Sequence, residues 1–513
     1  MTSTITKNSL LNHGKQPPKS LKTNKHFYEK RKKLYKSLDF ILFSLSLSRT
    51  LNIYTMKDTF FIVLLVAASI LSCTTPKNTD TTFAKGEFKE WAKTPPMGWN
   101  SWDCYGPTVE EHEVKANTDY MAEYLKDYGW EYVVVDIRWF VENDKAGGYN
   151  QTDQRYMIDE YGRYLPALNR FPSAEGGVGF KALADYVHGK GLKFGIHIMR
   201  GIPGEAVRNQ LPIEGADGIT ADMIYSTELQ CEWLRDNYTI VSDRPGAQEY
   251  YNSIMNLYAS WGVDFIKVDD VSRPYHRAEI ELIRNAIDQC GRPIVLSLSP
   301  GKTPVVDASH VSEHANMWRM VDDVWDIWSD VTHLLDVAQG WYGHIAPGTW
   351  PDCDMIPLGR ISIRGERGEE RMTRLTKDEQ YSLMNLFAIF RSPLMFGGDL
   401  PGNDAFTLSL LTNERVLKMH REGSQVRQLF HEDNKVGITS IDSENGDIYV
   451  ALFNIHDVDT QDVSFSEAML GISGRHYIFE LWHGKELGEL NASFSVSLKP
   501  HESALLKLSR ISE

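Results

Sequence analysis

The chain has 513 residues, of which 42% are hydrophobic and 11% aromatic. That is enough apolar material for a large core spread over two domains. It carries 54 Lys and Arg against 69 Asp and Glu, a net charge of −15, and setting aside the basic segment 1–72 leaves the remainder at about −24. So acidic a body speaks against nucleic acid and against charge-driven binding to an anionic surface.

Residues 1–55 are basic and contain an apolar patch, Phe40 to Leu47, and read as an N-terminal extension produced by a translation start placed too far upstream. From Met56 the order is a short charged segment, the apolar run Phe60 to Leu71, then Ser72-Cys73-Thr74-Thr75. That is the layout of a bacterial lipoprotein signal, too short to span a bilayer comfortably. The expectation is a signal peptide over 56–72, lipidation of Cys73, and a polar tether over 73–93. It implies a Gram-negative cell-envelope lipoprotein, periplasmic or outer-membrane, whose contact with the membrane is the lipid anchor alone.

From Tyr132 onward, short apolar runs alternate with amphipathic stretches of helical length. Tyr132 to Asp136, Lys193 to His197, Phe265 to Asp269 and Ile294 to Ser297 read as parallel strands buried on both faces. Phe180 to Lys190 and Gln248 to Trp261 read as helices between them. The alternation favours an α/β fold, a (β/α)8 TIM barrel over 94–422, over an open doubly wound sheet. No Gly-x-Gly-x-x-Gly follows a first strand, which weakens a dinucleotide site. The mixed-sign run Arg364 to Arg374 reads as a solvated loop. Beyond Glu422, the runs Val436 to Ile441, Ile448 to Asn454, Tyr477 to Trp482 and Phe494 to Leu498 read as short strands of a C-terminal antiparallel β-sandwich over 423–513.

Chemistry concentrates where apolar strands end in ionisable residues. Lys267-Val268-Asp269-Asp270 closes the buried run beginning at Val263, which places a lysine and two carboxylates at a strand's C-terminal edge. Barrels of this class keep their active sites there. Cys104, Cys231, Cys290 and Cys353 form no CxxC pair or zinc pattern, and they leave room for one disulfide without selecting it. His197 has no histidine partner on a neighbouring strand end, which argues against a metal hydrolase.

Seven motifs then stand in order: Pro96 to Trp102, Val135 to Trp139, Gly191 to Ile196, Lys267 to Asp269, Trp318 to Asp323, Trp350 to Met355, and Pro393 to Leu400. Together they resemble glycoside hydrolase family 27, which includes α-galactosidases and α-N-acetylgalactosaminidases. The resemblance implies a retaining exo-glycosidase of the α-galactosidase type that removes terminal galactose-configured residues from oligo- or polysaccharides without metal or organic cofactor, with β-L-arabinopyranosidase or α-N-acetylgalactosaminidase activity as the alternatives on the same scaffold. One ionised carboxylate attacks the anomeric carbon and a protonated one releases the leaving group. It places the nucleophile at Asp269 and the acid/base at Asp323. Asp322 competes for the second role, but counting four residues on from Arg319 selects Asp323.

The resemblance also implies that Lys267 helps keep Asp269 ionised, that Trp102 and Trp139 line the sugar pocket, and that Arg319 lies near O2. Asp354 and Met355 fall on the closing loop, and His197 stands where the family usually has a tyrosine. Where α-galactosidases read Asp-Asp-Cys-Trp, this chain reads Asp136-Ile137-Arg138-Trp139. One sugar hydroxyl therefore loses a partner, which suits a sugar lacking the hydroxymethyl, such as β-L-arabinopyranose. The glutamate that bonds O2 becomes Ser299, which leaves room for a 2-substituent, as in the N-acetylgalactosaminidase branch. Val271 replaces a cysteine, so the family's nearby disulfide is absent. Arg138 and Arg200 are either new positive charge at the pocket rim or ion-paired residues. A glycan-binding lipoprotein without catalysis is the alternative of another class; retention of both Asp269 and Asp323 counts against it.

Overall fold

The computed structural model describes residues 82–511. The extension over 1–55, the signal over 56–72 and Cys73 lie outside the described residues.

Eight parallel strands carry the first domain: β1 (Met97–Asn100), β2 (Tyr132–Val135), β3 (Lys193–Met199), β4 (Phe265–Asp269), β5 (Val295–Leu298), β6 (Met317–Arg319), β7 (Trp350–Asp352) and β8 (Leu394–Phe396). Hydrogen bonding runs β7-β6-β5-β4-β3-β2-β1-β8, and Met355–Ile356, just past β7, pairs with β8 and closes the ring. β2 shows why such runs become barrel strands. Four consecutive residues, three of them valine, are all buried, and only a strand covered on both faces uses such a run. Close approach has its own requirement at Gly98, where an added Cβ would lie 2.4 Å from the Tyr132 carbonyl oxygen.

Each strand feeds a helix on the outside: α1 (Glu111–Tyr124), α2 (Lys181–Gly189), α3 (Ala247–Trp261), α4 (Arg277–Gln289), α5 (Ala308–His314), α6 (Trp328–Ala338), α7 (Lys377–Phe390) and, past the short helix Ala405–Leu411, α8 (Glu414–Glu422). Local sequence sets their ends. Thr376 and Glu379 cap α7 reciprocally, with Thr376 N–H donating to the Glu379 carboxylate at 2.7 Å and Glu379 N–H to the Thr376 hydroxyl at 3.3 Å. Gly262, at φ 88°, stops α3 in the left-handed conformation.

The second domain is an antiparallel sheet in the order β9-β10-β11-β16-β13-β14, made of β9 (Gly423–Glu432), β10 (Lys435–Asp442), β11 (Ile448–Asn454), β13 (His476–Glu480), β14 (Lys485–Glu489) and β16 (Ser503–Arg510). A two-stranded sheet, β12 (Gln461–Ser466) with β15 (Ser493–Leu498), completes the sandwich. β11 explains how the domain is held. Ile448, Val450 and Leu452 join the sandwich core with Val463 and Phe465. The alternate residues Tyr449, Ala451 and Phe453 belong to the core of the barrel. The period of two along a strand divides one segment between two cores. Polar contacts add to the seam: Ser382 Oγ donates to the His501 carbonyl at 2.7 Å, and Trp482 Nε1 donates to Asn385 Oδ1 at 2.7 Å.

Candidate active site

At the C-terminal ends of the strands lies a pocket of about 520 Å³, lined among others by Trp102, Asp136, Ile137, His197, Lys267, Asp269, Asp323 and Met355. Parallel register brings these residues together from distant parts of the chain. His197 pairs with Lys267 across β3 and β4, and Lys267 with Ser297 across β4 and β5.

Asp269 is 5% exposed. Ser299 Oγ donates to one of its carboxylate oxygens, and His197 Nε2 lies 3.0 Å from the other, off the line of a good hydrogen bond. Burial works against its charge, but the His197 and Lys267 cations outweigh that and hold its pKa below the ordinary 3.8. Asp136 is held lower still. Burial again opposes, while His197 Nδ1 at 2.5 Å, Lys267 Nζ at 3.1 Å and Asn100 Nδ2 at 2.8 Å all stabilise the carboxylate. The same pairing acts in reverse on His197: burial disfavours its charge, yet Asp136 and Asp269 raise its pKa above 6.5. Lys267 and His197 thus favour the ionised forms of Asp136 and Asp269, and the two carboxylates favour the protonated imidazole in return.

Asp323 follows β6, lines the pocket and is 36% exposed at its side chain. Arg319 Nη2 donates to its Oδ1 at 3.2 Å, and Arg319 Nη1 lies 2.6 Å from Asp354 Oδ1. Asp354 in turn accepts from the Val324 N–H at 2.8 Å, so Arg319 and Asp354 brace the segment that bears Asp323. Burial, with Asp323 adding to it and Arg319 opposing, pushes the Asp354 carboxyl up to about 7. The neighbouring Asp322 is committed elsewhere: Arg273 Nη1 donates to both its oxygens, at 2.6 and 2.8 Å, on the pocket rim. Asp270 also faces away, its Oδ2 2.9 Å from Arg200 Nη2.

Several expected placements change. Trp139 does not reach the sugar pocket. It is fully buried among Phe140, Phe180, Tyr258 and Trp261, with its Nε1 donating to the His197 carbonyl at 2.8 Å. An indole whose polar edge finds a backbone acceptor is a stable core residue. Of the two readings of Arg138 and Arg200, the ion-paired one holds: Arg138 is buried between Asp144 and Asp236, and Arg200 between Asp270 and Glu279. Ser299, Arg319 and Asp354 stand behind the pocket wall. The cavity that all three border measures about 20 Å³, room for about one water. The run Arg364 to Arg374 is not simply solvated, since Glu366 and Arg367 line the pocket while Arg371 and Arg374 grip Asp326.

Tyr149, Trp233, Arg273 and Pro300 also line the pocket and were not expected from the sequence. The first two come from the long segments 136–180 and 200–246, which lack a single period. The length of those segments at the catalytic end of a barrel was the available signal. Asp103 is buried behind the site, and burial together with Asp354 raises its pKa well above the ordinary value. The four described cysteines are free.

The family model described as alpha galactosidase A matches residues 214–422, and the alpha galactosidase C-terminal beta sandwich domain matches 433–508. Among solved structures, a family 27 β-L-arabinopyranosidase from Geobacillus stearothermophilus, in complex with arabinose, is 50% identical with a TM-score of 0.81, over 84% of this chain and all of that one. Alpha-galactosidase A of Cellvibrio japonicus is 27% identical over 82% of this chain and 94% of its own length. The alpha-N-acetylgalactosaminidase of Homo sapiens is 27% identical over 67% of this chain and 74% of its own.

Proposed function

As this chain belongs to glycoside hydrolase family 27 and is a retaining glycosidase of the α-galactosidase type acting on carbohydrate, we propose that it removes terminal β-L-arabinopyranosyl residues, with Asp269 as nucleophile and Asp323 as acid/base. In the first step Asp269 attacks C1 while Asp323 gives its proton to the departing oxygen. In the second, Asp323 takes a proton from water, which displaces Asp269 from C1. Asp136, Lys267 and His197 line the pocket and carry the charges to fix the sugar hydroxyls. Trp102 and Met355 offer apolar surface to its C–H face.

One observation carries the choice of sugar: Ile137 lines the pocket immediately beside Asp136. Together they offer one carboxylate and one apolar side chain where a galactoside would present both O4 and O6. Arabinopyranose has the galactose configuration without C6, and it leaves nothing polar against Ile137. Burying an unpaired hydroxyl there costs about 1–3 kcal/mol. The 50% identical arabinopyranosidase supports the same choice. Removal of α-D-galactosyl residues is the second reading, favoured by the 27% identity to the alpha-galactosidase A of Cellvibrio japonicus.

The test is hydrolysis of the p-nitrophenyl β-L-arabinopyranoside, α-D-galactoside and α-N-acetylgalactosaminide. The arabinopyranoside is expected to have the highest kcat/KM, with turnover abolished in Asp269→Ala. A higher kcat/KM on either other glycoside would overturn the sugar assignment, and full activity of Asp269→Ala would overturn the mechanism. The reading includes acylation at Cys73, which palmitate labelling of wild type and Cys73→Ala checks; equal labelling of both would refute it.

A further inference from the structure

The pocket does not end at the sugar site. A second cavity of about 330 Å³ shares Trp233, Arg273 and Pro300 with it, so the two adjoin as a groove along these side chains. We infer that this groove is a leaving-group subsite that takes a neutral, pyranose-based oligosaccharide, with Trp233 as its platform. The inference rests on the proposed exo-glycosidase reading and names the other half of its substrate.

Three features carry it. The groove leaves on the acid's side: Arg273, which lines both cavities, is bonded to Asp322, the residue next to Asp323. The group that Asp323 protonates therefore departs along Arg273 and Pro300. Next, the aromatic surface is continuous, with the Trp102 and Tyr149 rings 5.6 Å apart and the Tyr149 and Trp233 rings 6.0 Å apart. Sugar C–H faces pack on such rings, and a row of them suits a ligand longer than one ring. Finally, among the described residues the one cation of the outer cavity, Arg273, is paired with Asp322, and the same wall carries the acidic Glu232 and Asp270 with the neutral Gln230. Among the described residues the outer cavity therefore offers a uronic acid or sulfate no unpaired cation. The Arg273–Asp322 pair is seated on Gly301, where a Cβ would come within 3.3 Å of Arg273 Cζ and 3.4 Å of Asp322 Oδ1.

A retaining enzyme reports such a subsite through transfer. With β-L-arabinopyranosyl fluoride as donor, Asp269 displaces fluoride from C1. An acceptor hydroxyl then forms its bond to C1 as the Asp269 ester bond breaks, and its proton passes to Asp323. Because fluoride makes no use of the groove, its hydrolysis reads the sugar site alone. Galactobiose, xylobiose and cellobiose are offered beside their monosaccharides. At least one disaccharide is expected to take more product than its monosaccharide. Trp233→Ala should lower that transfer-to-hydrolysis ratio about tenfold or more, and Trp233→Phe should recover most of it. No advantage of any disaccharide, or an unchanged ratio in Trp233→Ala, overturns the subsite. No turnover of the fluoride by wild type overturns the function reading itself.

Discussion

Ile137 and Ser299 differ from their neighbours in what a sequence can say about them. Ile137 was legible as a lost hydroxyl partner because an apolar residue at a polar position has one consequence. Ser299 was legible only as a shortening; that its hydroxyl turns onto Asp269 depends on packing that no linear pattern encodes. Ile137→Asp should raise the ratio of α-galactoside to β-L-arabinopyranoside kcat/KM about tenfold, the worth of one buried hydroxyl bond. Matched kinetics on the two p-nitrophenyl glycosides check this. The charges make a second prediction. The depressed pKa of Asp269 keeps it ionised below 3.8, so the acid limb of kcat/KM should fall below that value. Removing the His197 cation with His197→Gln should move the limb upward. The raised pKa of His197 works in the opposite direction on stability: its contribution is full below 6.5 and is lost as pH rises through its folded value. Thermal unfolding of wild type and His197→Gln across that range should converge at high pH.

At the level of elements, the barrel strands were readable because burial on both faces leaves continuous apolar runs, as β2 and β4 show. Motif position could not separate Trp102 from Trp139. Both tryptophans are large and apolar, and only the packing of α2 and α3 turns the second into core. The run Arg364 to Arg374 looked solvated because its partners, Glu113 and Asp326, are remote in sequence. The segments 136–180 and 200–246 are anchored by a similar device. Arg138 Nε and Nη2 each donate to Asp236 at 2.8 Å, and Nη1 to both oxygens of Asp144 at 3.1 Å, fastening the loop after β2 to the loop after β3. Arg138→Leu leaves two carboxylates buried without their cation and should cost about 3–5 kcal/mol. Denaturant unfolding measures it; a loss under about 1 kcal/mol would mean the fork does not hold the loops.

For the molecule as a whole, the two domains share a core, since Val436, Tyr449, Ala451 and Phe453 of the sandwich belong to the same apolar cluster as the barrel. Unfolding should therefore be a single cooperative transition, and a chain ending at Glu422 should fail to fold, because α7 would present apolar surface to water. Two separate calorimetric transitions would contradict this. Function depends on the same assembly, because the site gathers Asp136, His197, Asp269 and Asp323 from after β2, within β3, the end of β4 and after β6. The claim on which everything else rests is that Asp269 forms the covalent bond to the sugar. Inactivation with 2-deoxy-2-fluoro-β-L-arabinopyranosyl fluoride, digestion and mass spectrometry of the labelled peptide test it directly. One fluoroglycosyl group per chain is expected, carried on Asp269 of the Lys267-Val268-Asp269-Asp270 segment; a label on Asp270, Asp322 or Asp323 would contradict that assignment.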